Sequence, residues 1–319
     1  MDYPENILGG GRPQTSRLEA GRFKQLASIP SKIPRRLRLA LIFGGFLLCL
    51  GALAWLAYKT SQKINLDELN PYNFLWALLA GIGYFVLIAC GWIALSGQQD
   101  VKRAFSNWSR TQALHFVPGG ILTPASRAYT LNANKSKRIW SVVIETLLET
   151  SLAASVAGLA MSVTDSRYYA LIGLVSVVIV VILINLKSKT TISSRSVVIA
   201  TLWLFAGRCS YCLAIFFGQL SIGPNSVSFW DITFVSALSW LAGYVAIFSP
   251  GGIGVREVVY AKLLSSGKYG LHLSTSIASA GALAGRLALS LAELIVLVCT
   301  GTYSKELPST PEPVQGQQA

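Results

Sequence analysis

The sequence is poor in charge and in histidine. Asp, Glu, Lys and Arg make up 13% of its 319 residues, and histidine occurs twice. Soluble domains carry about 25% charged residues, so the composition does not fit a soluble globular domain. No P-loop, no His-Glu-x-x-His pair and no Ser/His/Asp grouping is present, which argues against an enzyme that depends on them. We therefore expect no metal site, no cofactor and no catalytic residue.

Cysteine is also scarce, and it does not form a usable framework. All five cysteines fall inside apolar stretches. Cys209 and Cys212 form a Cys-x-x-Cys pair, a pattern found in redox and metal sites. We favour the simpler interpretation that they are small residues packed in a helix. The first 38 residues contain no apolar run, so we expect no cleavable signal peptide.

Long apolar runs dominate what remains. Several approach or exceed about 18 residues, the length that crosses a bilayer as a helix. We predict an all-α, polytopic integral membrane protein with about seven transmembrane helices. The predicted spans are 39–58, 73–95, 139–163, 168–186, 196–219, 229–249 and 274–302. The last span carries Gly281 and Gly285 in a Gly-x-x-x-Gly spacing, which is typical of close helix packing.

The spans divide the chain into a tail, a membrane domain and a second tail. Residues 1–38 are predicted to be a disordered basic cytoplasmic tail, 39–303 the membrane domain and 304–319 a disordered polar tail. With the N-terminus inside, the inner segments hold 21 Lys and Arg and the outer segments hold 4. Positive charge concentrates on the cytoplasmic side of membrane proteins. We therefore expect a multi-pass cell (plasma) membrane protein with the N-terminus cytoplasmic and the C-terminus outside. The net charge of +13 then reflects topology, and no nucleic acid partner is expected.

One short motif occurs twice. Pro118-Gly119-Gly120-Ile121 is followed by Arg127, and Pro250-Gly251-Gly252-Ile253 is followed by Arg256. Proline removes a backbone donor and glycine reaches backbone angles closed to other residues. Each copy therefore predicts the end of one helix and the start of another. We expect two re-entrant or broken helical elements that face the cytoplasm, because irregular backbone at membrane depth must lie against protein or a water-filled cavity.

The motifs have the composition of an anion site. Consecutive glycine N–H groups before a helix N-terminus bind anions, and an arginine one turn later adds a planar fork that suits phosphate. The alternative is that the two arginines only obey the positive-inside rule. The predicted lipid-phosphate-binding residues are Gly119, Gly120, Arg127, Gly251, Gly252 and Arg256.

Five charged residues fall within the predicted spans. Ionisable residues are costly inside a bilayer, and they are functional candidates for that reason. Glu145 and Glu149 share one helix face, and so do Arg286 and Glu293. We predict one polar intramembrane cavity in which the arginines meet the acids; the alternative is a set of ion pairs that only fixes helix packing. The residues are Glu145, Glu149, Arg208, Arg286 and Glu293.

The two motifs resemble the membrane region of lysylphosphatidylglycerol synthases, the flippase-like domain of the multiple peptide resistance factor. The resemblance spans roughly residues 40–303. Thr146 and Glu149 depart from the Glu-Arg-x-x-Asp helix of the family, and Leu122-Thr123-Pro124 replaces a stretch that usually contains glycine. The residues that carry the resemblance are Pro118, Gly119, Gly120, Arg127, Ala128 and Tyr129 in the first motif, and Pro250, Gly251, Gly252, Ile253, Gly254, Val255, Arg256 and Glu257 in the second.

The resemblance implies a flippase-like protein without the soluble aminoacyl-transfer domain. Its expected function is to bind an anionic lipid and translocate it between leaflets, the lipid being a phospholipid or a polyprenyl-phosphate-linked sugar. Two alternatives stay open: a membrane-embedded transferase acting on a lipid phosphate, and a scaffold subunit for a partner glycosyltransferase.

Overall fold

A computed structural model of the chain describes most of the predicted membrane domain. The described residues are 70–112, 114, 122–131, 133–164, 192–222, 227–246, 249–266 and 273–303, with the single residues 51, 58, 173, 178, 181 and 182. All of them belong to one compact unit, Ile42–Ala319. Their regular structure is helical, and no strand occurs among them. Both predicted tails lie outside the described residues.

Eight α-helices make up the described part of the unit. They are α1 (Pro71–Ser96), α2 (Val101–Gln112), α3 (Leu122–Thr130), α4 (Lys135–Thr164), α5 (Ser194–Leu220), α6 (Phe229–Val245), α7 (Val255–Ser265) and α8 (Thr275–Tyr303). A single 3₁₀ turn, Pro250–Gly252, separates α6 from α7.

Four helices are long and apolar enough to cross a membrane. They are α1, α4, α5 and α8, and they match the predicted spans 73–95, 139–163, 196–219 and 274–302. The predicted spans 39–58 and 168–186 lie outside the described residues, apart from a few isolated positions. The predicted span 229–249 is wrong in length, because α6 ends at Val245 after 17 residues. At 1.5 Å per residue it measures about 25 Å, less than the roughly 30 Å of a bilayer core.

Polar side chains fix where the helices begin. The Asn70 side chain accepts hydrogen bonds from the N–H groups of Tyr72 (3.1 Å) and Asn73 (3.3 Å) at the start of α1. Asn134 accepts one from the Lys137 N–H (2.8 Å) at the start of α4, and Ser193 accepts one from the Ser196 N–H (3.2 Å) at the start of α5. These residues satisfy donors that a helix leaves unpaired, so the boundaries follow from local sequence.

Small residues bring the long helices together. A side chain at Gly218 of α5 would clash with the backbone of Gly285 on α8, and one at Gly281 would clash with the Gln219 side chain. The Gly281/Gly285 spacing therefore marks a close contact between α5 and α8, as predicted. Without a hydrophobic drive between helices in lipid, this close approach supplies the packing.

Hydrogen bonds show which helix ends lie together. At one end, the Asn70 N–H donates to Ser221 O (2.9 Å), and the Gln219 side chain contacts both Ile277 O (3.4 Å) and the Tyr260 hydroxyl (3.2 Å). The ends of α5 and α7 therefore lie beside the starts of α1 and α8, and we name this the Asn70 end. At the other end, Ser109 Oγ lies 2.6 Å from Thr300 Oγ1. The C-terminal part of α8 thus lies beside α2, at what we name the Thr300 end.

Helices α6 and α7 form a hairpin that enters and leaves at the Asn70 end. Phe229, the first residue of α6, packs its ring 5.2 Å from that of Phe216 near the end of α5. The chain turns at Pro250–Gly252, and Tyr260 of α7 is back beside Gln219. With 17 and 11 residues, neither helix crosses the unit. The second motif therefore lies at the turn between α6 and α7, where one helix ends and another begins, as its sequence predicts.

The two halves of the described chain repeat the same plan in opposite directions. The four helices of the first half have 26, 12, 9 and 30 residues. Those of the second half have 27, 17, 11 and 29. In the first half, α1 runs towards the Thr300 end and the pair α2–α3 follows there. In the second, α5 runs towards the Asn70 end and the pair α6–α7 follows there. The halves are thus related as an inverted repeat.

This arrangement differs from the predicted topology. The prediction placed residues 96–138 and the C-terminal tail on opposite sides, whereas Ser106 and Ser109 contact Thr300 near the end of α8. It also placed residues 250–273 on the same side of the membrane as 96–138, whereas α7 runs towards the Asn70 end, opposite the Thr300 end where α2 lies. The physical reason is the hairpin: the prediction counted α6 as one crossing, but α6 and α7 together return to the end where they began.

The hairpin yields a test by cysteine labelling. In a background with all five cysteines replaced, we expect single cysteines at Ser136 and Ser266 to react with an impermeant thiol reagent from opposite sides of the membrane. Both positions are exposed, and they lie at opposite ends of the unit. Labelling of both positions from the same side would contradict the re-entrant path of α6 and α7.

Candidate functional site

A cavity of about 550 Å³ lies between two pairs of short helices, α2–α3, which we name the first hairpin, and α6–α7, the second hairpin. Its wall takes residues from both halves of the chain, including Gln112 and Thr123 from the first hairpin and Gly243, Gly251 and Gly252 from the second. Its charged residues are Arg127, Glu145, Glu149, Arg256, Arg286 and Glu293.

Most of the residues selected from sequence meet in this cavity. Both motif arginines, both described motif glycines and four of the five predicted intramembrane charges line it. Gly119 and Gly120 lie outside the described residues. Arg208 is buried behind the wall and does not line the cavity. Two motifs 130 residues apart in sequence thus contribute to one site.

The first half contributes a neutralised arginine. Arg127 of α3 forms a salt bridge with Glu145 of α4, and its second terminal nitrogen donates to the Gln112 side chain. Its guanidinium also lies 5.1 Å from the ring centre of Trp108 and 5.9 Å from that of Trp92. Arg127 and Glu145 are both buried. The cation is held on a carboxylate, an amide and two aromatic rings.

The second half contains the same kind of pair with the charges exchanged. Here the long helix carries the cation: Arg286 of α8 donates to Gly251 O (2.8 Å) and lies 3.8 Å from a Glu257 carboxylate oxygen. The other Glu257 oxygen accepts a hydrogen bond from the Gly254 N–H (2.6 Å). Arg286 therefore fixes the tip of the hairpin, and Glu257 caps the start of α7.

Glycine is required at the hairpin tip. Gly251, Gly252 and Gly254 have φ values of 59°, 72° and 86°, in the region that disfavours residues with a side chain. The Ser249 hydroxyl donates to Ile253 O across the turn (2.5 Å). The tip can therefore bring its backbone against the cavity, which a bulkier sequence would prevent.

Arg256 is the cavity arginine without a carboxylate partner. Among the described residues it forms no salt bridge, and its Nε is buried without a hydrogen-bond acceptor. Its guanidinium lies 5.5 Å from the ring centre of Trp240. Arg256 belongs to α7, outside the four spanning helices, and burial lowers its pKa, with the neighbouring Arg286 lowering it further. A positive charge is thus held in the wall without a salt bridge to any of the described acids.

Arg208 is buried on an aromatic ring instead of an acid. Its guanidinium lies 3.9 Å from the ring centre of Trp240 and 5.5 Å from that of Tyr211. It also donates to the backbone oxygen of Glu149 (3.4 Å), but forms no salt bridge within the described residues. Arg208 thus contacts Glu149 through the backbone and not through its carboxylate, and the ring face of Trp240 lies against the cation.

Arg286 also has a different partner from those predicted. Its acidic partner is Glu257 rather than Glu145, Glu149 or Glu293. Glu149 and Glu293 both line the cavity. Glu257 stood next to Arg256 in the motif, and its spacing of three residues from Gly254 is the signal for a capping carboxylate. Gln112 and Trp240 carried no comparable signal, since each is a single residue in a helix.

Metal ligands do not cluster in the described part of the chain. No group of three His, Cys, Asp or Glu side chains with the arrangement for a metal ion occurs there. Comparison with known proteins adds no family: no family model matches the chain, and no curated protein matches it significantly.

The Arg127–Glu145 pair gives a test of stability. We expect Arg127→Ala to destabilise the protein by about 3–5 kcal/mol, because it leaves a buried carboxylate unpaired. The double variant Arg127→Met/Glu145→Leu should recover most of this loss, since no charge remains buried. Thermal unfolding in detergent measures both. Arg103→Ala, an exposed position on α2, is the control and should leave the melting temperature unchanged. A double variant no more stable than Arg127→Ala would contradict the assignment.

Proposed function

We propose that this protein binds the phosphate of an anionic membrane lipid in the cavity between its hairpins and moves that lipid between leaflets. The observation that carries the proposal is Arg256, a cavity cation without a carboxylate partner in the described residues. A phosphate is the anion that its planar fork fits best.

The surroundings of Arg256 suit phosphate better than other anions. Arg256 lies in the first turn of α7, and the N-terminus of a helix favours negative charge. Gly251 and Gly252 bring the backbone to the same wall of the cavity. Arg286 adds a second positive charge nearby, although its own contacts go to Gly251 and Glu257. Two arginines of the second half therefore line the cavity, and the described residues show one salt bridge to them, from Glu257 to Arg286.

The location of the cavity favours a lipid over a soluble phosphate. The cavity lies among four helices long enough to cross a membrane, and its volume of about 550 Å³ is that of a pocket for a small head group. A head group held there leaves its acyl or prenyl tails in the bilayer. The lipid phosphate, whether in a phospholipid or in a polyprenyl phosphate, is the shared chemistry.

The inverted repeat supports transport over a one-sided binding role. In transporters built this way, the site lies between the repeats and broken helices face it from both sides. Here one hairpin reaches the cavity from each end of the unit. The two halves have equivalent salt bridges, Arg127–Glu145 and Arg286–Glu257. Each half can therefore open against the other around a common site.

Charge suggests which end faces the cytoplasm. Residues 96–138, which follow α1 at the Thr300 end, hold seven Lys and Arg. The positive-inside rule then assigns the Thr300 end to the cytoplasm. With the helix directions seen here, the C-terminal end of α8 is also cytoplasmic. This revises the expected outside C-terminus.

Replacement of Arg256 tests phosphate binding. We expect Arg256→Ala to weaken binding by about 10- to 100-fold, the loss typical of a hydrogen bond to a charged group. Arg256→Lys should recover binding only in part, because it restores the charge and not the fork. Calorimetry with dihexanoylphosphatidylglycerol and with geranyl phosphate measures this and separates the two lipid classes. Lys262→Ala, an exposed position on the same helix, is the matched control. Equal affinity of the parent and both Arg256 variants would contradict the site.

Transport requires a separate measurement. We expect proteoliposomes with fluorescently labelled phosphatidylglycerol, or labelled polyprenyl phosphate, to expose the inner-leaflet label to an impermeant quencher faster than protein-free liposomes. Arg256→Ala should slow this exchange, because the head group loses its counter-charge in the cavity. Binding without any acceleration of exchange would remove translocation from the proposal and leave lipid binding.

A further inference from the structure

The Arg256 side chain passes over two glycines before it reaches the cavity. The three atoms nearest to a Cβ at Gly243 of α6 would all belong to this side chain, with Arg256 Cδ at 2.9 Å and Nε and Cγ closer still. A Cβ at Gly252 would lie 2.6 Å from Arg256 Nε and 2.9 Å from Gly243 O. The backbones of Gly243 and Gly252 therefore lie in contact and form a slot that the Arg256 side chain occupies.

The two glycines differ in what requires them. Gly252 has φ of 72°, so its backbone conformation alone excludes most side chains. Gly243 lies within α6, where every residue type can adopt the backbone, and glycine there is the least favourable choice apart from proline. Local structure thus gives no reason for glycine at 243. The Arg256 side chain above it is the reason that the structure shows.

We propose that Gly243 is a positioning residue for lipid-phosphate recognition: its missing side chain is the slot that holds the Arg256 guanidinium against the cavity. The inference rests on the proposed function, since it assigns Arg256 to the ligand. Trp240, one turn earlier on α6, closes the slot with its ring 5.5 Å from the guanidinium. The hairpin thus carries both the cation, on α7, and the surface that aims it, on α6.

The slot predicts how Gly243→Ala acts. The three atoms nearest to the added methyl group all belong to the Arg256 side chain, so we expect the guanidinium to be displaced from the cavity. We expect Gly243→Ala to weaken binding of dihexanoylphosphatidylglycerol or geranyl phosphate by about 10-fold. In an Arg256→Ala background, the same change should have no further effect, because no guanidinium remains to be displaced.

Gly91→Ala on α1 is the matched control. Its Cβ would approach the Leu204 side chain at 2.8 Å, which is also a clash with a side chain, but in the apolar core and away from the cavity. We expect this change to leave lipid affinity unchanged in both backgrounds. Melting temperatures of all variants in detergent separate loss of folding from loss of binding.

Each outcome of this comparison of Gly243→Ala, Arg256→Ala and the double variant decides the inference. A loss on Gly243→Ala that disappears in the Arg256→Ala background supports it. An equal loss in both backgrounds, or no loss in the parent, overturns it while leaving phosphate binding by Arg256 intact. No effect of Arg256→Ala itself overturns the proposed function, and the inference with it. If Gly243→Ala fails to fold, the double variant should fold under the inference, because the conflicting side chain is gone; failure of both overturns it.

Discussion

Buried charge is the constraint on which the rest of this structure depends. An ionised group inside an apolar helical bundle is costly unless a partner compensates it. The chain meets this cost by pairing Arg127 with Glu145 and Arg286 with Glu257, and by placing Arg208 on the ring of Trp240. These contacts hold the short helices α3 and α7 against the long helices α4 and α8. Among the described residues Arg127 and Arg286 form salt bridges, whereas Arg256 in the same cavity forms none.

The exchange of charge between the halves has a structural consequence. In the first half the short helix carries the cation, whereas in the second the long helix carries it. Both arrangements join a pair of short helices to the following long helix with one salt bridge. The second arrangement leaves the short helix free to carry another cation, Arg256, one residue before its acid. The asymmetry between otherwise similar halves thus leaves the second hairpin with an arginine that forms no salt bridge among the described residues.

The hairpins also explain how irregular backbone is tolerated at this depth. Exposed N–H and C=O groups are not tolerated against lipid, but they are allowed against protein or a polar cavity. Around the second tip, side chains form hydrogen bonds with these backbone groups. Arg286 donates to Gly251 O, Ser249 donates to Ile253 O, and Glu257 accepts from the Gly254 N–H. The tip therefore needs both its glycines and the charged side chains that come from α7 and α8.

Local sequence determined the long helices, their caps and the broken second motif, because apolar length, Asn or Ser caps and Pro-Gly-Gly act over a few residues. It also identified Arg127 and Arg256 through the repeated Pro-Gly-Gly motif. It identified Glu145, Glu149, Arg286 and Glu293 because charge in an apolar segment stands out without any structure. Tertiary structure alone decided the partners: Glu257 for Arg286, Trp240 for Arg208, and a slot at Gly243 for Arg256. It also decided the direction of α8. A hairpin of two short helices returns to the end where it began and a single crossing does not, so the two give every later helix opposite directions, although their hydropathy is similar. Pairing and direction depend on contacts between residues far apart in the chain, which no local pattern specifies.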